Sequence, residues 1–285
     1  MCAEHFLRMQ WRRINHLRTQ EKLIVSGDRV VCACSGGKDS TTLMHVLARI
    51  CDRKDLSLQV LSIDEGIRGY RPFELKQARK HAKILGLEHT ILSFKEEFGQ
   101  TLDQIVRTNK DNPPCSYCGV LRRYLLNKGA KALGATKLAV GHNADDEAQS
   151  VLMNALRGDV IHMARLGPKH EVPDFAGFVP RIKLFRNIPE REVAAMSILM
   201  GLNISFHQDC PYAGTAFRQI VREHLNELET QSTGVKFKLL KFLDELSPIL
   251  RSSLKQGRPE LCNKCGEPTS GEKCKLCEIL ADIAR

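Results

Sequence analysis

The stretch Ser35-Gly36-Gly37-Lys38-Asp39-Ser40 decides how the rest of this 285-residue chain is read. An apolar run, Arg29-Val30-Val31-Cys32-Ala33-Cys34, precedes it, and Leu43, Val46, Leu47 and Ile50 follow at helical spacing on one face. A strand, a tight turn with two glycines and a helix start are therefore expected. Gly36 and Gly37 let the backbone approach an anion closely, the hydroxyls of Ser35 and Ser40 and the first helical N–H groups can donate to it, and Lys38 supplies a point charge. Together they predict a phosphate cradle. A generic glycine-rich turn would explain the glycines but not the strand and helix on either side.

The loop is not a Walker A motif, which needs a glycine five residues before its Gly-Lys pair and Ser or Thr straight after the lysine. Cys32 and Asp39 stand at those places. Nor does it fit the dinucleotide pattern G-x-G-x-x-G. S-G-G-K-D-S after a strand does resemble the PP-loop of the ATP pyrophosphatase superfamily. That resemblance implies cleavage of ATP to AMP and pyrophosphate with adenylation of a substrate.

Downstream, Leu58–Ile63 reads as a second strand, a helix is expected from Pro72 to Leu85, and His89–Phe94 reads as a third strand. This alternation predicts an α/β fold with a doubly wound parallel sheet, in which ligands bind beyond the carboxyl ends of the strands. Asp64, at the head of Asp64-Glu-Gly-Ile-Arg-Gly-Tyr-Arg71, is thereby a candidate to orient ribose or Mg²⁺, or else caps a helix. A fourth short strand, Thr136–Val140, runs into Gly141-His142-Asn143-Ala144-Asp145-Asp146-Glu147. One of these polar residues suffices to cap the helix that follows; the others point to nucleotide or Mg²⁺ handling by Asp145 or Asp146. Arg181–Arg186 is a last strand or extended segment, and Pro189 opens a helix through Val193, Met196 and Leu199.

Eleven cysteines in a chain without a recognisable secretion signal point to metal or catalysis and away from disulfides. Cys32, Cys34 and Cys51 have apolar surroundings and read as inert core residues. Cys115-Ser-Tyr-Cys118 follows two prolines and is expected on a loop before a helix, where the helix N-terminus lowers thiol pKa values. Cys210 is a lone cysteine that completes a three-thiolate set. At the end of the chain, Cys262-x-x-Cys265 and Cys274-x-x-Cys277, eight residues apart, fit a closed tetrahedral Cys₄ zinc module, read as a small autonomous fold. At the front, Cys2-x-x-His5 has ligand spacing but supplies only two ligands of an incomplete zinc site, ahead of a helical pattern over residues 3 to 24.

A net charge of +10 and a pI near 9.1 suit a polyanionic partner, and a simply well-solvated surface is the plain alternative. Two amphipathic helices over residues 216 to 250 place Arg218, Arg222, Lys236, Lys238 and Lys241 on polar faces that could meet RNA. No run of about 18 apolar residues is present, so neither a membrane span nor a membrane partner is expected, and the chain should act in the cytoplasm.

In combination, S-G-G-K-D-S, D-E-G-I-R-G-Y-R, P-C-S-Y-C-G-V-L-R-R, G-H-N-A-D-D, Cys210 and the terminal Cys₄ module resemble the cytosolic tRNA 2-thiouridine synthases, over nearly the whole chain and in matching order. The departure lies at the front, where the first C-x-x-C of the family's zinc module is missing. The resemblance implies a PP-loop domain over residues 25–212, preceded by an N-terminal helix and zinc-module remnant (1–24) and followed by a helical region (213–256) and a zinc-binding module (257–285). It implies ATP and Mg²⁺ bound by Ser35, Gly36, Gly37, Lys38, Asp39, Ser40, Asp64, Gly141, His142, Asp145 and Asp146, with Lys38 and Asp145 acting in catalysis. ATP adenylates O2 of a tRNA uridine, and sulfur displaces AMP at C2. Cys115, Cys118 and Cys210 then hold a [4Fe–4S] cluster with one iron open to sulfide, or alternatively act as persulfide and disulfide partners. Sulfide or a ubiquitin-like thiocarboxylate carrier supplies the sulfur, and a homodimer or paralogous heterodimer is implied. Two other readings stay open: a tRNA 2-thiocytidine synthase, and a non-catalytic tRNA-binding partner subunit.

Overall fold

The computed structural model describes residues 1–52, 55–109, 112–170, 177–204, 210–214, 216–254, 260–269 and 271–283. The loop residues just before Cys210 and the expected boundary at 256/257 lie outside these. Helix α1 (Ala3–Gln20) leads into β1 (Arg29–Ala33), α2 (Lys38–Ile50), β2 (Ser57–Asp64), α3 (Arg71–Ile84) and β3 (His89–Ser93). Two short helices, α4 (Phe94–Phe98) and α5 (Leu102–Thr108), precede α6 (Pro114–Ala132), β4 (Lys137–Val140), α7 (Ala144–Leu156) and α8 (Val160–Ala164). Then come β5 (Lys169–His170), β6 (Arg181–Ile182), α9 (Glu190–Leu199), α10 (Phe217–Gln231) and α11 (Val235–Ser253). A two-stranded ribbon, β7 (Glu260–Leu261) and β8 (Pro268–Thr269), and helix α12 (Lys275–Ile283) complete the described chain.

The main sheet has the order β3-β2-β1-β4-β6-β5, parallel except for β5, which runs antiparallel to β6. Both faces are buried, as a parallel sheet requires. Successive residues of the central strands alternate between two cores: Val30, Cys32 and Ala139 pack with α1, α2, α3 and α9, whereas Val31, Leu138 and Val140 pack with α5, α6 and α12. The strand order reverses between β1 and β4. That is the switch point at which doubly wound sheets open a crevice, and the loop that leaves β1 is the glycine-rich stretch.

Two expectations change. Helix α6 begins at Pro114, earlier than expected, because proline lacks only an N–H that the first turn does not use; Cys115 and Cys118 therefore stand in the first helical turns and not on a loop. The Cys₄ segment is not a separate body. Cys262, Cys274, Cys277 and the α12 residues Leu276, Ile279 and Ile283 belong to the same apolar cluster as Leu121 and Leu125 of α6.

The helices α10 and α11 lie outside the sheet, on α7 and α8, through Val221, Leu225 and Leu243. A buried ion network fixes them. Lys183 Nζ lies 2.7 Å from Glu147 Oε1, and Arg186 reaches both Glu147 and Asp244 of α11, the latter with two hydrogen bonds.

A histidine pair joins α2 to α3, with His45 Nε2 2.9 Å from His81 Nδ1. Burial and the second imidazole push His45 down to about 4, and burial lowers His81 as well. As pH falls from about 6.5, the unfolded chain takes up these protons before the folded one does. Stability should therefore drop as pH falls between about pH 6.5 and pH 4. Chemical denaturation across that range checks this, and His45→Gln should flatten the profile.

Candidate active site

The loop after β1 is tight because its backbone must pass α3. Gly36 has φ +98°, and a Cβ there would lie 1.8 Å from the carbonyl oxygen of Glu74. No other residue type fits. Gly37 caps α2, the Ser40 hydroxyl accepts from Ser35 N at 3.1 Å, and Ser35 Oγ lies 3.0 Å from Ser40 Oγ. The end of β4 comes equally close, since a Cβ on Gly141 would stand 3.0 Å from the backbone of Ser40. Between these two turns lies a cleft of about 360 Å³.

Ser35, Gly37, Asp39 and Ser40 line one wall of the cleft, Gly141, His142 and Asp146 another, and Cys210 its far end. Asp39 is half-buried, its Oδ1 is buried without a hydrogen-bond partner, and burial, reinforced by the Asp146 and Glu190 carboxylates against Lys38, pushes its pKa up to about 6. Asn143 caps α7, accepting from the N–H groups of Asp145 and Asp146, while Asp146 Oδ2 accepts from Asn143 N at 3.2 Å. Asn143 and Asp146 thus share the capping box, and the other Asp146 oxygen, Oδ1, lies 3.6 Å from Arg218 Nη1 beside the cleft.

Three sequence candidates stand elsewhere. Asp64 Oδ1 accepts from Gly66 N at 2.9 Å, and the side chain lines a neighbouring cavity with Arg68, Lys95 and Arg107. Lys38 and Asp145 line a second cavity beyond the loop. Lys38 Nζ lies 2.9 Å from Asp39 Oδ2 and 2.7 Å from Glu190 Oε1, whereas Asp145 pairs with Lys236 of α11 and accepts from Glu190 N at 2.7 Å.

The residue that replaces Asp64 in the cleft is its neighbour Glu65, 2% exposed. Its Oε2 lies 2.7 Å from Arg71 Nε and its Oε1 2.7 Å from Arg122 Nε. Arg71 also donates to Ser35 O at 2.8 Å, and Arg122 donates from Nη2 to Cys118 Sγ at 3.0 Å. One carboxylate thus couples the glycine-rich loop to the C-x-x-C helix.

At that helix, the exposed Cys115 thiol points to Tyr212 O, 3.6 Å away, and Tyr212 lies two residues past Cys210. Of the three cysteines only Cys210 lines the cleft, with Cys115 and Cys118 each within electrostatic reach of it. Burial pushes the Cys118 thiol up to about 11 and raises Cys210 too, so desolvation outweighs the helix N-terminus that was expected to lower Cys118. As a set, the three sulfurs do not crowd within 4.8 Å, whereas those of Cys262, Cys265, Cys274 and Cys277 do. At the N-terminus, Cys2 Sγ lies 2.9 Å from His5 Nδ1, and no third ligand joins them among the described residues.

Sequence reasoning missed Glu65, Arg71, Arg122 and Glu190. The first two sat in a loop already singled out and the third four residues past Cys118, so the signal was there in alternating charge. Glu190, after Pro189, carried none beyond the helix start.

Residues 8–177 match the model of the PP-loop domain family. The cytoplasmic tRNA 2-thiolation protein 1 of Caenorhabditis elegans is 36% identical over 285 residues, covering 99% of this chain and 75% of the relative. The tRNA 2-thiolation protein NcsA of Haloferax volcanii is 33% identical, covering 99% and 93%. Among solved structures, the U34-tRNA thiolase NcsA from Methanococcus maripaludis with its [4Fe–4S] cluster superposes with a TM-score of 0.82 at 32% identity, covering 98% of this chain and 88% of that one. With a family model over more than half of its length and relatives of this identity and coverage, the chain belongs to the PP-loop family of tRNA 2-thiolation proteins.

Proposed function

We propose that this chain is the ATP-dependent enzyme that converts a tRNA uridine to 2-thiouridine in the cytoplasm, forming AMP and pyrophosphate. The observation that carries this reading is the shared cleft: Ser35, Asp39 and Ser40 face Cys210 across one cavity, so an activated base need not leave the site to meet sulfur. A non-catalytic subunit would have no use for that juxtaposition. Against the 2-thiocytidine alternative stands the similar structure whose name specifies a uridine, U34.

The loop N–H groups and the Ser35 and Ser40 hydroxyls hold the phosphates. Asp39 and Asp146 would hold Mg²⁺, because Asp39 Oδ1 is a buried carboxylate oxygen without a partner on the cleft wall. Uridine O2 attacks the α-phosphorus as pyrophosphate leaves, and Lys38 offsets charge on the phosphates. Sulfide, free or released as water hydrolyses a carrier thiocarboxylate to its carboxylate, then bonds to C2 while O2 departs with AMP, a substitution without net redox change.

Cys115, Cys118 and Cys210 would hold a [4Fe–4S] cluster: three soft thiolates more widely spaced than a single-ion site suit a larger guest. When bound, it supplies an open iron to which sulfide can coordinate. Arg122 on Cys118 and Tyr212 O on Cys115 keep the two thiols oriented. At the other end, Cys262, Cys265, Cys274 and Cys277 would close around Zn²⁺ as a structural site. We divide the chain into functional parts at residues 1–24, 25–212, 213–256 and 257–285.

Incubating anaerobically purified protein with tRNA, ATP and sulfide, then digesting the tRNA for nucleoside mass spectrometry, should show 2-thiouridine with one AMP per thiolation; tRNA without 2-thiouridine would refute the reading. Lys38→Ala should slow AMP release on the order of 10²–10³-fold with the melting temperature barely moved. Cys210→Ser should abolish thiolation and the brown colour of the anaerobic protein while nucleotide still binds, since the two sites use different groups. Cys274→Ser should release zinc, open the remaining three module thiols to alkylation and lower the melting temperature, because α12 covers α6. Free alkylation of all four thiols in the parent would contradict the zinc assignment.

A further inference from the structure

The second cavity, about 420 Å³, lies between the starts of α7 and α9 and the helices α10 and α11. Lys38 lines it and not the cleft that holds the rest of the loop. The reason is Glu190, the first residue of α9, whose Oε1 lies 2.7 Å from Lys38 Nζ. Its other oxygen, Oε2, stands 3.4 Å from Arg222 Nη2 on α10. One carboxylate is thus shared unequally between the lysine of the phosphate loop and a cation on another helix.

A triphosphate arriving at the loop competes for the same lysine. Lys38 already has Asp39 at 2.9 Å and Glu190 at 2.7 Å, with Asp146 on the facing wall. Added phosphate charge among three carboxylates is unfavourable unless one of them gives up the lysine. Asp39 is adjacent in sequence and cannot move far. Glu190 has a second cation within reach, and its side chain (28% exposed) and that of Arg222 (38%) have room to close on each other.

We propose that Glu190 is a positioning residue that changes partner: when ATP binds, Lys38 passes from Glu190 to the phosphates, and Glu190 closes onto Arg222, drawing α10 towards the nucleotide loop. This rests only on the loop binding ATP. Glu190 holds Lys38 off the cleft until a phosphate claims it. The same exchange reports nucleotide occupancy to α10, whose Arg218 already reaches Asp146 and Gln149 beside the cleft.

Calorimetric titration with Mg·AMP-PNP, joined to hydrogen–deuterium exchange over residues 217–231 of the full chain, tests this. Removing the competing charge in Glu190→Gln should tighten nucleotide binding by about two- to fivefold, the size expected of one partly exposed ion pair. Glu190→Asp, which keeps the charge, should bind like the parent. Nucleotide should slow exchange in α10 of the parent but not of Glu190→Gln or Arg222→Ala, and Arg222→Ala carries the test if Glu190→Gln fails to fold. Unchanged or weaker binding by Glu190→Gln, or equal protection of α10 in Arg222→Ala and the parent, would overturn the proposal. A parent that binds no nucleotide would instead overturn the ATP assignment, and is told apart because no variant would bind either.

Discussion

The structure depends on one buried carboxylate. Glu65, at the carboxyl end of β2, holds Arg71 on one oxygen and Arg122 on the other, and through them reaches Ser35 and Cys118. Arg71 is only 3% exposed, so its pairing with Glu65 is set in a low-dielectric interior where an unpaired charge is costly. Removing the carboxylate would strand a buried guanidinium, a loss on the order of 3–5 kcal/mol. The specific consequence is geometric: the nucleotide loop and the cysteine helix cannot shift independently while both arginines grip the same group.

That coupling is what the proposed sharing of one cleft by two chemistries would rest on. The reversal of strand order between β1 and β4 opens the crevice, Gly36 and Gly141 let three backbones converge on it, and the Glu65 network fixes where α6 enters. The zinc-type module adds to this from behind, because α12 packs on α6 and so supports the helix that presents Cys115 and Cys118. A distant four-cysteine cluster therefore supports the helix that carries Cys115 and Cys118.

Much of this was legible in the sequence. The alternation of strands and helices, the phosphate loop, the helix start at Asn143 and the four C-terminal cysteines all follow from local patterns, and each local pattern agrees with the tertiary structure. What local patterns could not reach were partnerships made across the fold. Asp64 looked like the acidic group at the strand end, yet it is used up by Gly66, and the next residue turns into the cleft. Lys38 looked free to meet phosphate, yet Glu190, 152 residues away, already holds it. The Cys118 thiol looked activated by its helix, yet burial pushes its pKa the other way. The last two are a long-range contact and a burial effect, neither of which has a sequence period; the first is a two-residue turn.

The central claim is that uridine O2 is adenylated in the same cleft where sulfur later replaces it. The most direct measurement is the fate of that oxygen. With tRNA carrying ¹⁸O at O2 of the target uridine, the account requires the label to appear in the phosphate of AMP, one atom per 2-thiouridine formed. Label found in water, or AMP without label while thiolation proceeds, would contradict it.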